Sequence, residues 1–336
     1  MISICIITYN RAKYLEELLK NLLKIKKNNF FKIHIFDNAS TDSTRQIFLN
    51  YKNIFINLNY TRQKRNVGTA KNIISAFNTI KSDFIWIFGD DDRINVKGFK
   101  IVKQILINKK KSISGLTLNN NFYKQNNNFK FDSQNSNELQ LLNFDLFSDL
   151  SRLGQISCQI FNLKMIKKLN IHKNISPKLT YPHLEIWRRL YNINNNSWKF
   201  CNNKIVSILR HELNFTNYND NKQLEGFNWK NKNNIKNFLS LRLKNDVHEY
   251  SNCINKLNLN KVKKDKLYNK VFEKIFRSWI IENLIFNLKI KNTISIFKRN
   301  LNFKNAFILK LICISPNFLT KFFVKVKRKL LQNYND

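Results

Sequence analysis

Three consecutive carboxylates, Asp90 to Asp92, follow an apolar run and a glycine in the stretch FIWIFGDDDR. Carboxylates this close repel one another, so a cluster at the end of a buried strand requires a positive partner. In an acidic turn that partner would be Arg93 or a nearby lysine, and in a binding site it would be a divalent metal ion. Among metal ions, oxygen ligands of this kind suit Mg²⁺ or Mn²⁺. The cluster is therefore the first candidate site.

Further polar side chains follow other apolar runs of the chain. Thr8 and Asn10 come directly after the first run, and Asp37 and Asn38 come after the second. In sheets of parallel strands, ligands bind outside the carboxyl ends of the strands, where the loops carry the polar groups. If the runs are parallel strands, these side chains and the three acids meet at one edge of the sheet.

The elements that would position these residues alternate along the chain. Strand-like apolar runs lie at Ile2 to Ile7, Ile33 to Phe36, Ile54 to Leu58 and Phe84 to Phe88. Between them, apolar residues recur at helical spacing, as in Leu15, Leu18, Leu19 and Leu22. This alternation predicts an α/β fold with a mostly parallel sheet covered by helices on both faces.

The remainder of the chain divides into two regions. From about residue 112 to 210 the pattern is mixed, with strands predicted at Ile113 to Leu118, Gln155 to Phe161 and Ile205 to Leu209. Beyond about residue 226, segments rich in Lys and Asn show helical periodicity and almost no turn residues. We therefore predict one domain over 1–225, with halves 1–110 and 111–225, and a basic helical region over 226–336.

The charge of the chain indicates partners that carry phosphate. With 59 Lys+Arg against 22 Asp+Glu, the net charge is +37, which favours binding to nucleotides, nucleic acid or anionic lipid headgroups. Binding to nucleic acid would require an RNA-binding motif or aromatic residues clustered on a basic sheet, and the sequence shows neither. The acids at the strand ends would also repel a phosphate backbone unless metal were bound.

The cysteine pattern and the N-terminus both favour a cytoplasmic protein. The five cysteines contain no CxxC pair, so neither a zinc site nor a disulfide framework is predicted. The opening residues MISICIITYN lack a basic region and are typical of a first strand rather than a signal peptide. No apolar run approaches the roughly 18 residues of a membrane-spanning helix.

Four motifs together resemble a known family. The stretches CIITYNR, FDNASTDST, RNVGTAKN and FGDDD, in this order and at these spacings, resemble the nucleotide-diphosphosugar-binding half of family 2 glycosyltransferases, which have the GT-A fold. The resemblance covers residues 1 to about 110, weakens to about 216 and does not extend further. It implies a Rossmann-like GT-A domain followed by the helical region.

The resemblance also assigns residues to a nucleotide site. The segment Thr8-Tyr9-Asn10-Arg11 would wrap the base, and Asp37 would accept a hydrogen bond from a uracil-type ring, with Asn38 in place of the usual second acid. The motif RNVGTAKN would bring Asn66, Gly68 and Lys71 beside the nucleotide, with Gly68 allowing close approach of the backbone. Asn66 has an alternative role, as the cap of the following helix.

The acid cluster matches the DxD motif of that family. The resemblance makes Asp90 and Asp92 the ligands of Mn²⁺ or Mg²⁺, with Asp91 between them beside the donor. A histidine after the last strand of the domain, near the metal and diphosphate in some members, is matched by His211, although a lone histidine is more often structural. Its neighbour Arg210 is an alternative partner of the diphosphate.

The catalytic base is the least regular part of the resemblance. Family members usually place an Asp of a Glu-Asp pair before a helix with an aromatic-x-Arg pattern, and the matching stretch here is YPHLEIWRRL. His183 occupies the Asp position and Glu185 is the nearest acid, so we take these two as the candidates. The alternatives are that His183, which follows a proline, is a structural residue with its hydrogen bonds satisfied, and that the base lies elsewhere in the chain.

Together these features predict an inverting, metal-dependent glycosyltransferase. It would move a sugar from a nucleotide-diphosphosugar, with UDP-sugar as the leading donor, onto a hydroxyl of a bacterial surface glycan or its lipid-linked precursor. The alternatives are a nucleic-acid-binding protein and a catalytically inactive relative that binds sugar nucleotides.

The C-terminal segment suggests where such an enzyme would act. Leu319, Phe322, Phe323, Val326 and Leu330 recur at helical spacing among lysines and an arginine. A helix of this kind can lie on an anionic membrane surface, here the inner face of the cell membrane. The alternative is an ordinary surface helix packed on the domain.

Overall fold

The computed structural model describes residues 1–27, 29–109, 112–123, 138–209 and 245–272. The chain forms two compact units, Met1–Lys230 and Asn231–Asp336. The boundary predicted near residue 225 lies outside the described residues.

The first part of the chain alternates between strand and helix, as the sequence predicts. The elements are β1 (Ile2–Thr8), α1 (Ala12–Leu22), β2 (Phe31–Asp37), α2 (Thr44–Tyr51), β3 (Leu58–Arg62), α3 (Thr69–Thr79) and β4 (Phe84–Gly89). Strand β1 lies between β2 and β4, and β2 also pairs with β3, all in parallel. Residues 2–6 of β1 are buried on both faces of the sheet, as expected for a parallel strand covered by helices on each side.

The second part of the chain extends the same sheet with mixed pairing. Its elements are β5 (Arg93–Ile94), α4 (Val96–Asn108), β6 (Gly115–Tyr123), β7 (Leu141–Asn143), α5 (Leu146–Asp149), β8 (Gln159–Asn162), α6 (Leu163–Lys168), α7 (Pro182–Ile193) and β9 (Trp198–Leu209). The nine-stranded sheet has the order β3-β2-β1-β4-β8-β6-β9-β5, and β7 pairs with β9. Strand β8 is antiparallel to both β4 and β6, whereas β6 and β9 are parallel. The predicted α/β fold class is confirmed.

The third strand corrects the sequence prediction. An apolar run placed it at Ile54 to Leu58, but the strand is β3, which begins where that run ends. Ile54 and Ile56 are 42% and 61% exposed and lie in the connection from α2 to β3. Their hydrophobicity suggested a strand, whereas pairing with β2 starts only at Leu58.

The later strands also differ from their predicted bounds. Of the run Gln155 to Phe161, residues 155–158 form a 3-10 turn and its flank, so β8 contains only the last part of that run and Asn162. The run Ile205 to Leu209 is the end of the longer strand β9. Strand β6 begins at Gly115, where an added Cβ would lie 2.1 Å from the Trp198 ring. Glycine is therefore required where β6 and β9 pack together.

The described residues of the second unit are helical. Residues 245–255 and 261–272 form helices, and Ile254, Leu267 and Phe272 are buried. The Tyr268 ring stacks on Phe272, and its hydroxyl donates to the Ser251 carbonyl at 3.0 Å. Within the described part of the chain, no helix has the length and hydrophobicity needed to cross a membrane. The basic segment 319–330 lies outside that part.

Candidate active site

Strands β1, β2 and β4 bring their carboxyl ends to one edge of the sheet. Thr8 at the end of β1 is in register with Asp37 at the end of β2, and Ile7 is in register with Gly89 at the end of β4. The Thr8 hydroxyl donates to Asp90 Oδ2 at 2.7 Å. The side chains after the strands therefore meet across the edge, as the alternating pattern of the sequence suggested.

Asp37 is fully buried and accepts several hydrogen bonds. Its Oδ1 receives the Ser40 backbone N–H at 2.8 Å and the Ser40 hydroxyl at 2.5 Å. Its Oδ2 receives the Tyr60 hydroxyl at 2.5 Å and lies 3.5 Å from Arg62 Nε. Burial and the bond to Asp37 raise the pKa of Tyr60. Between Asp37 and Ser40, Ala39 has φ +67°, a strained conformation for alanine that helps to turn the Ser40 N–H back to the carboxylate.

Asn10 joins the loop after β1 to the loop after β2. Its Oδ1 accepts from the Thr41 backbone N–H at 2.7 Å, and its own backbone N–H donates to the Ser40 hydroxyl at 2.9 Å. Its Nδ2 is buried and has no hydrogen-bond partner among the described residues. Buried donors are rarely left unsatisfied, so this amide is available for a ligand in the nucleotide site.

The segment before α3 is held by a pair of asparagines. Asn38 Nδ2 donates to Asn66 Oδ1 at 2.8 Å, and Asn66 Oδ1 also accepts from the Gly68 backbone N–H at 2.9 Å. The N-cap position of α3 is Gly68, so Asn66 orders the preceding turn rather than capping the helix. Gly68 has φ +82°, a conformation that favours glycine. Lys71 is exposed on the first turn of α3.

Arg11 is the cation that pairs with the acid cluster. Its NH1 lies 2.7 Å from Asp90 Oδ1 and its NH2 lies 3.0 Å from Asp91 Oδ2. Arg93, the nearest arginine in sequence, instead donates to the backbone carbonyls of Asp90 and Asp92 and forms an ion pair with Glu17 at 2.5 Å. The proposed partner of an acidic turn, Arg93, is therefore corrected to Arg11, because the loop after β1 lies beside the end of β4.

The third acid, Asp92, is bonded to neutral donors. Its Oδ1 accepts from the Leu209 backbone N–H at 3.1 Å, and the Ser157 hydroxyl also bonds to its carboxylate. Burial raises the pKa of Asp92 to about 8, and the neighbouring Asp91 charge adds to the shift. Burial also raises the pKa of Asp90, to about 6, although Arg11 opposes that rise. Arg11 alone therefore does not offset the cost of ionising these buried acids.

The chemistry of the acid cluster fits a divalent metal ion. An added Cβ at Gly89 would lie 3.0 Å from Asp91 Oδ1 and 3.4 Å from Asp92 Oδ2, so the glycine keeps the space between these oxygens open. Among the described residues, no group of three or more His, Cys, Asp or Glu side chains is arranged to hold a metal by itself. The arrangement matches a site in which one or two carboxylates and substrate phosphates share the ion. The candidate ligand His211 and its neighbour Arg210 lie outside the described residues.

The two candidate bases lie on the first turn of α7, which begins at Pro182. His183 is buried, and its Nε2 lies 2.8 Å from the Leu153 carbonyl. Burial lowers the pKa of His183 to about 4, and this placement supports its structural role. Burial would raise the pKa of Glu185, but hydrogen bonds from Arg188 and Arg189 outweigh it and lower that pKa.

Three contributors to the site have no signal in the sequence. Tyr60 bonds to Asp37, the Ser157 hydroxyl bonds to Asp92, and the Tyr123 hydroxyl donates to the Asp91 carbonyl at 2.5 Å. Each lies on an element far along the chain from its partner. The pairing of β3 with β2 brings Tyr60 to Asp37. The pairing of β8 with β4, and of β6 with β8, brings Ser157 and Tyr123 to the acid segment.

Comparison with known proteins shows where the likeness lies. Residues 3–169 match the model of the family described as Glycosyl transferase family 2. Abequosyltransferase RfbV of Salmonella typhimurium is 37% identical over 108 residues, which are 32% of this chain and 32% of that protein. Poly(ribitol-phosphate) beta-N-acetylglucosaminyltransferase TarS of Staphylococcus aureus is 28% identical over 135 residues, 37% of this chain and 23% of that protein. The chain thus matches a third or less of the length of these relatives.

Solved structures extend the likeness beyond the matched sequence. TarS residues 1-349 in complex with UDP-GlcNAc has a TM-score of 0.57 at 18% identity, covering 85% of this chain and 80% of that one. Mannosyltransferase PcManGT from Pyrobaculum calidifontis, in complex with GDP-Man and Mn²⁺, has a TM-score of 0.56 at 11% identity, covering 98% and 84%. At such identities the likeness shows the fold alone, and the fold of both is the one predicted from the sequence motifs.

Proposed function

The chain belongs to glycosyl transferase family 2 through residues 3–169, and from this premise we propose that it transfers a sugar from a nucleotide-diphosphosugar to a hydroxyl of a bacterial surface glycan or its lipid-linked precursor. The observation that carries the proposal is the meeting of two buried acidic sites at one strand-end edge. One is Asp37, with the adjacent Asn10 amide, and the other is the cluster Asp90 to Asp92. The first site suits the base of a nucleotide, and the second suits a diphosphate bound to a metal ion.

The donor is proposed to be a UDP-sugar. A uracil ring presents an N–H that a carboxylate can accept, and Asp37 is the buried carboxylate at the end of β2. Ser40, Tyr60 and Arg62 already surround the Asp37 carboxylate, so one of these hydrogen-bonding groups must move aside for the uracil ring. Arg62 is the weakest of these, since it is 43% exposed and 3.5 Å away. The UDP-GlcNAc found with TarS supports this choice of nucleotide.

The diphosphate is proposed to lie against the acid cluster. Asp90 and Asp92 would hold Mn²⁺ or Mg²⁺, with Asp91 beside the donor and His211 as a further ligand. Such an ion neutralises the charge of the leaving diphosphate. The carboxylates are buried and are held in place by the Thr8 and Ser157 hydroxyls and the Leu209 N–H. The Mn²⁺ in the PcManGT complex supports a divalent ion on this fold.

The transfer is proposed to invert the anomeric carbon, with a base that takes the proton of the acceptor hydroxyl. Of the two candidates, Glu185 is favoured because its carboxylate is partly exposed and ionised. Its ion pairs with Arg188 and Arg189 must loosen before it takes the proton. His183 lies buried with Nε2 bonded to a backbone carbonyl. We therefore assign the proton transfer to Glu185 and the packing of α7 to His183.

The experiment that tests the function is a thermal-shift panel of UDP, GDP, CDP and dTDP. Each is measured with Mn²⁺ and then with EDTA, on the wild type, on Asp92→Asn and on the control Asp265→Asn, which alters an exposed acid. A ligand that binds only the folded state at about 100 times its Kd stabilises that state by about 2.7 kcal/mol. We expect UDP with Mn²⁺ to raise the melting temperature of the wild type and the control, and not of Asp92→Asn.

A different result would reject the proposal. If none of the four nucleotides stabilises the wild type while a generic oligonucleotide does, the basic charge serves nucleic-acid binding instead. If UDP stabilises the protein but UDP-sugar is neither hydrolysed nor transferred, the chain is an inactive binder of sugar nucleotides.

A further inference from the structure

Arg11 lies at the centre of the acid cluster. Its side chain is 11% exposed, and its two terminal nitrogens bond to two different acids, Asp90 at 2.7 Å and Asp91 at 3.0 Å. The guanidinium carbon also lies 4.7 Å from the centre of the Tyr14 ring. Arginine is the residue whose planar fork can bond to two carboxylates at once while packing against an aromatic face.

These contacts conflict with the metal site of the proposed function. Asp90 is a proposed ligand, and its Oδ1 and Oδ2 accept from Arg11 and Thr8 respectively. A divalent cation beside Asp90 and Asp91 would also be repelled by the guanidinium charge, which water screens little at this depth. While Arg11 stays in this position, its guanidinium occupies the place of a metal ion beside Asp90 and Asp91.

We propose that Arg11 is a built-in counter-cation that competes with the divalent metal and must leave the acids before the metal binds tightly. The diphosphate of the donor is the natural recipient of the released guanidinium, because phosphate oxygens accept from the same fork. Metal and nucleotide then bind together rather than independently. The link to the donor rests on the proposed nucleotide, whereas the competition rests only on the proposed binding of a divalent metal at Asp90 to Asp92.

The second arginine of the cluster shows why Arg11 is the residue that exchanges. Arg93 donates to two backbone carbonyls of the acid segment and pairs with Glu17 on α1. A metal cannot replace these contacts, because they fix the backbone rather than the carboxylates. Arg11 bonds to the carboxylate oxygens that a metal would use.

The test measures Mn²⁺ binding directly, on the full chain and without nucleotide. The electron paramagnetic resonance signal of free Mn²⁺ gives the bound fraction for the wild type, Arg11→Gln, Arg11→Lys and the control Lys13→Gln. Lys13 is exposed on the first turn of α1, two residues after Arg11. Its substitution therefore removes one positive charge from the same part of the chain. We expect Arg11→Gln to bind Mn²⁺ at least about tenfold more tightly than the wild type, with Arg11→Lys between them and Lys13→Gln unchanged.

Two results would overturn the inference. One is Mn²⁺ affinity in Arg11→Gln or Arg11→Lys that equals or falls below the wild type, as expected if Arg11 only holds the loop in place. The other is an equal rise in Lys13→Gln, which would show a general effect of net charge. Arg11→Lys retains the charge at the buried acids, so it keeps the test decisive if Arg11→Gln does not fold.

A final measurement separates this inference from the proposed function. UDP is added to the same samples, and the Mn²⁺ affinity is measured again. We expect UDP to tighten Mn²⁺ binding by the wild type more than by Arg11→Gln, in which the competitor is already gone. If UDP has no effect on any sample but Arg11→Gln still binds Mn²⁺ more tightly, the proposed donor is wrong and the competition at Arg11 stands.

Discussion

Replacing Asp92 by asparagine is expected to stabilise the ligand-free protein above neutral pH while removing its response to metal. Asparagine has the shape of aspartate and retains an oxygen that accepts from the Leu209 N–H. Its amide can donate to the Ser157 hydroxyl, which bonds to Asp92 in the wild type. The substitution therefore removes the buried charge and leaves the hydrogen bonds in place.

The sign and size of the effect follow from the pKa. Burial raises the pKa of Asp92 from 3.8 to about 8, so the folded state binds this proton more tightly than the unfolded state. Stability contributed by the protonated carboxyl is complete below about pH 4 and is lost as the pH rises toward about 8. A pKa difference of one between the folded and unfolded states changes the free energy of unfolding by about 1.4 kcal/mol. We take half of the cost of ionising the buried carboxyl to be relieved by water and by movement of neighbouring groups. The free energy of unfolding of Asp92→Asn then exceeds that of the wild type by about 3 kcal/mol at about pH 8.

The assay is urea unfolding of both proteins at several pH values between about 4 and 8, without metal. We expect equal stability near pH 4 and a growing advantage for Asp92→Asn above it, whereas Asp265→Asn should follow the wild type throughout. Adding Mn²⁺ with UDP should stabilise the wild type and Asp265→Asn, and not Asp92→Asn.

The reasoning would be refuted by a variant less stable than the wild type at about pH 8, or by a difference that does not change with pH. Either result would mean that ionised Asp92 has a cationic partner in the folded protein. The cluster would then need no metal to balance its charge.

Two other predictions concern the base and the C-terminal segment. Glu185→Gln is expected to lower kcat by about 100-fold or more. His183→Gln should lower the free energy of unfolding by about 1–2 kcal/mol, because its bond to the Leu153 carbonyl is lost, and should leave kcat nearly unchanged. If steady-state kinetics and urea unfolding show the reverse, His183 is the base and Glu185 the structural residue. Deletion of residues 317–336 is expected to weaken binding to anionic vesicles and to leave donor hydrolysis unchanged, and an unaltered partition in a flotation assay would assign that segment to packing.

The sequence predicts the part of the fold in which local pattern and burial agree. The runs that became β1, β2 and β4 are apolar and buried, and the polar residue after each lies at the sheet edge. The pattern failed at Ile54 and Ile56, which are apolar but exposed. No local property distinguishes these residues from a strand, because the start of β3 is set by its pairing with β2.

The site shows the same division between local and distant contacts. Strand-end position alone identified Thr8, Asp37 and the acids, but it could not identify the cation that balances them. Arg93 is adjacent in sequence, whereas Arg11 is 79 residues from Asp90 and reaches it only because β1 and β4 are neighbours. In the same way, the burial of His183 depends on where α7 packs against the Leu153 carbonyl.

The tips of β6 and β9 each hold the acid segment by a hydrogen bond that joins one side-chain atom to one backbone atom, and this affects which substitutions the protein tolerates. The Tyr123 hydroxyl bonds to the Asp91 carbonyl, and the Leu209 N–H bonds to Asp92. A peptide carbonyl or N–H is supplied by almost any residue, so drift in the identity of residue 209 leaves that bond intact unless proline appears. Substitution of residue 209 by any residue other than proline therefore keeps the tip of β9 bonded to the acid segment.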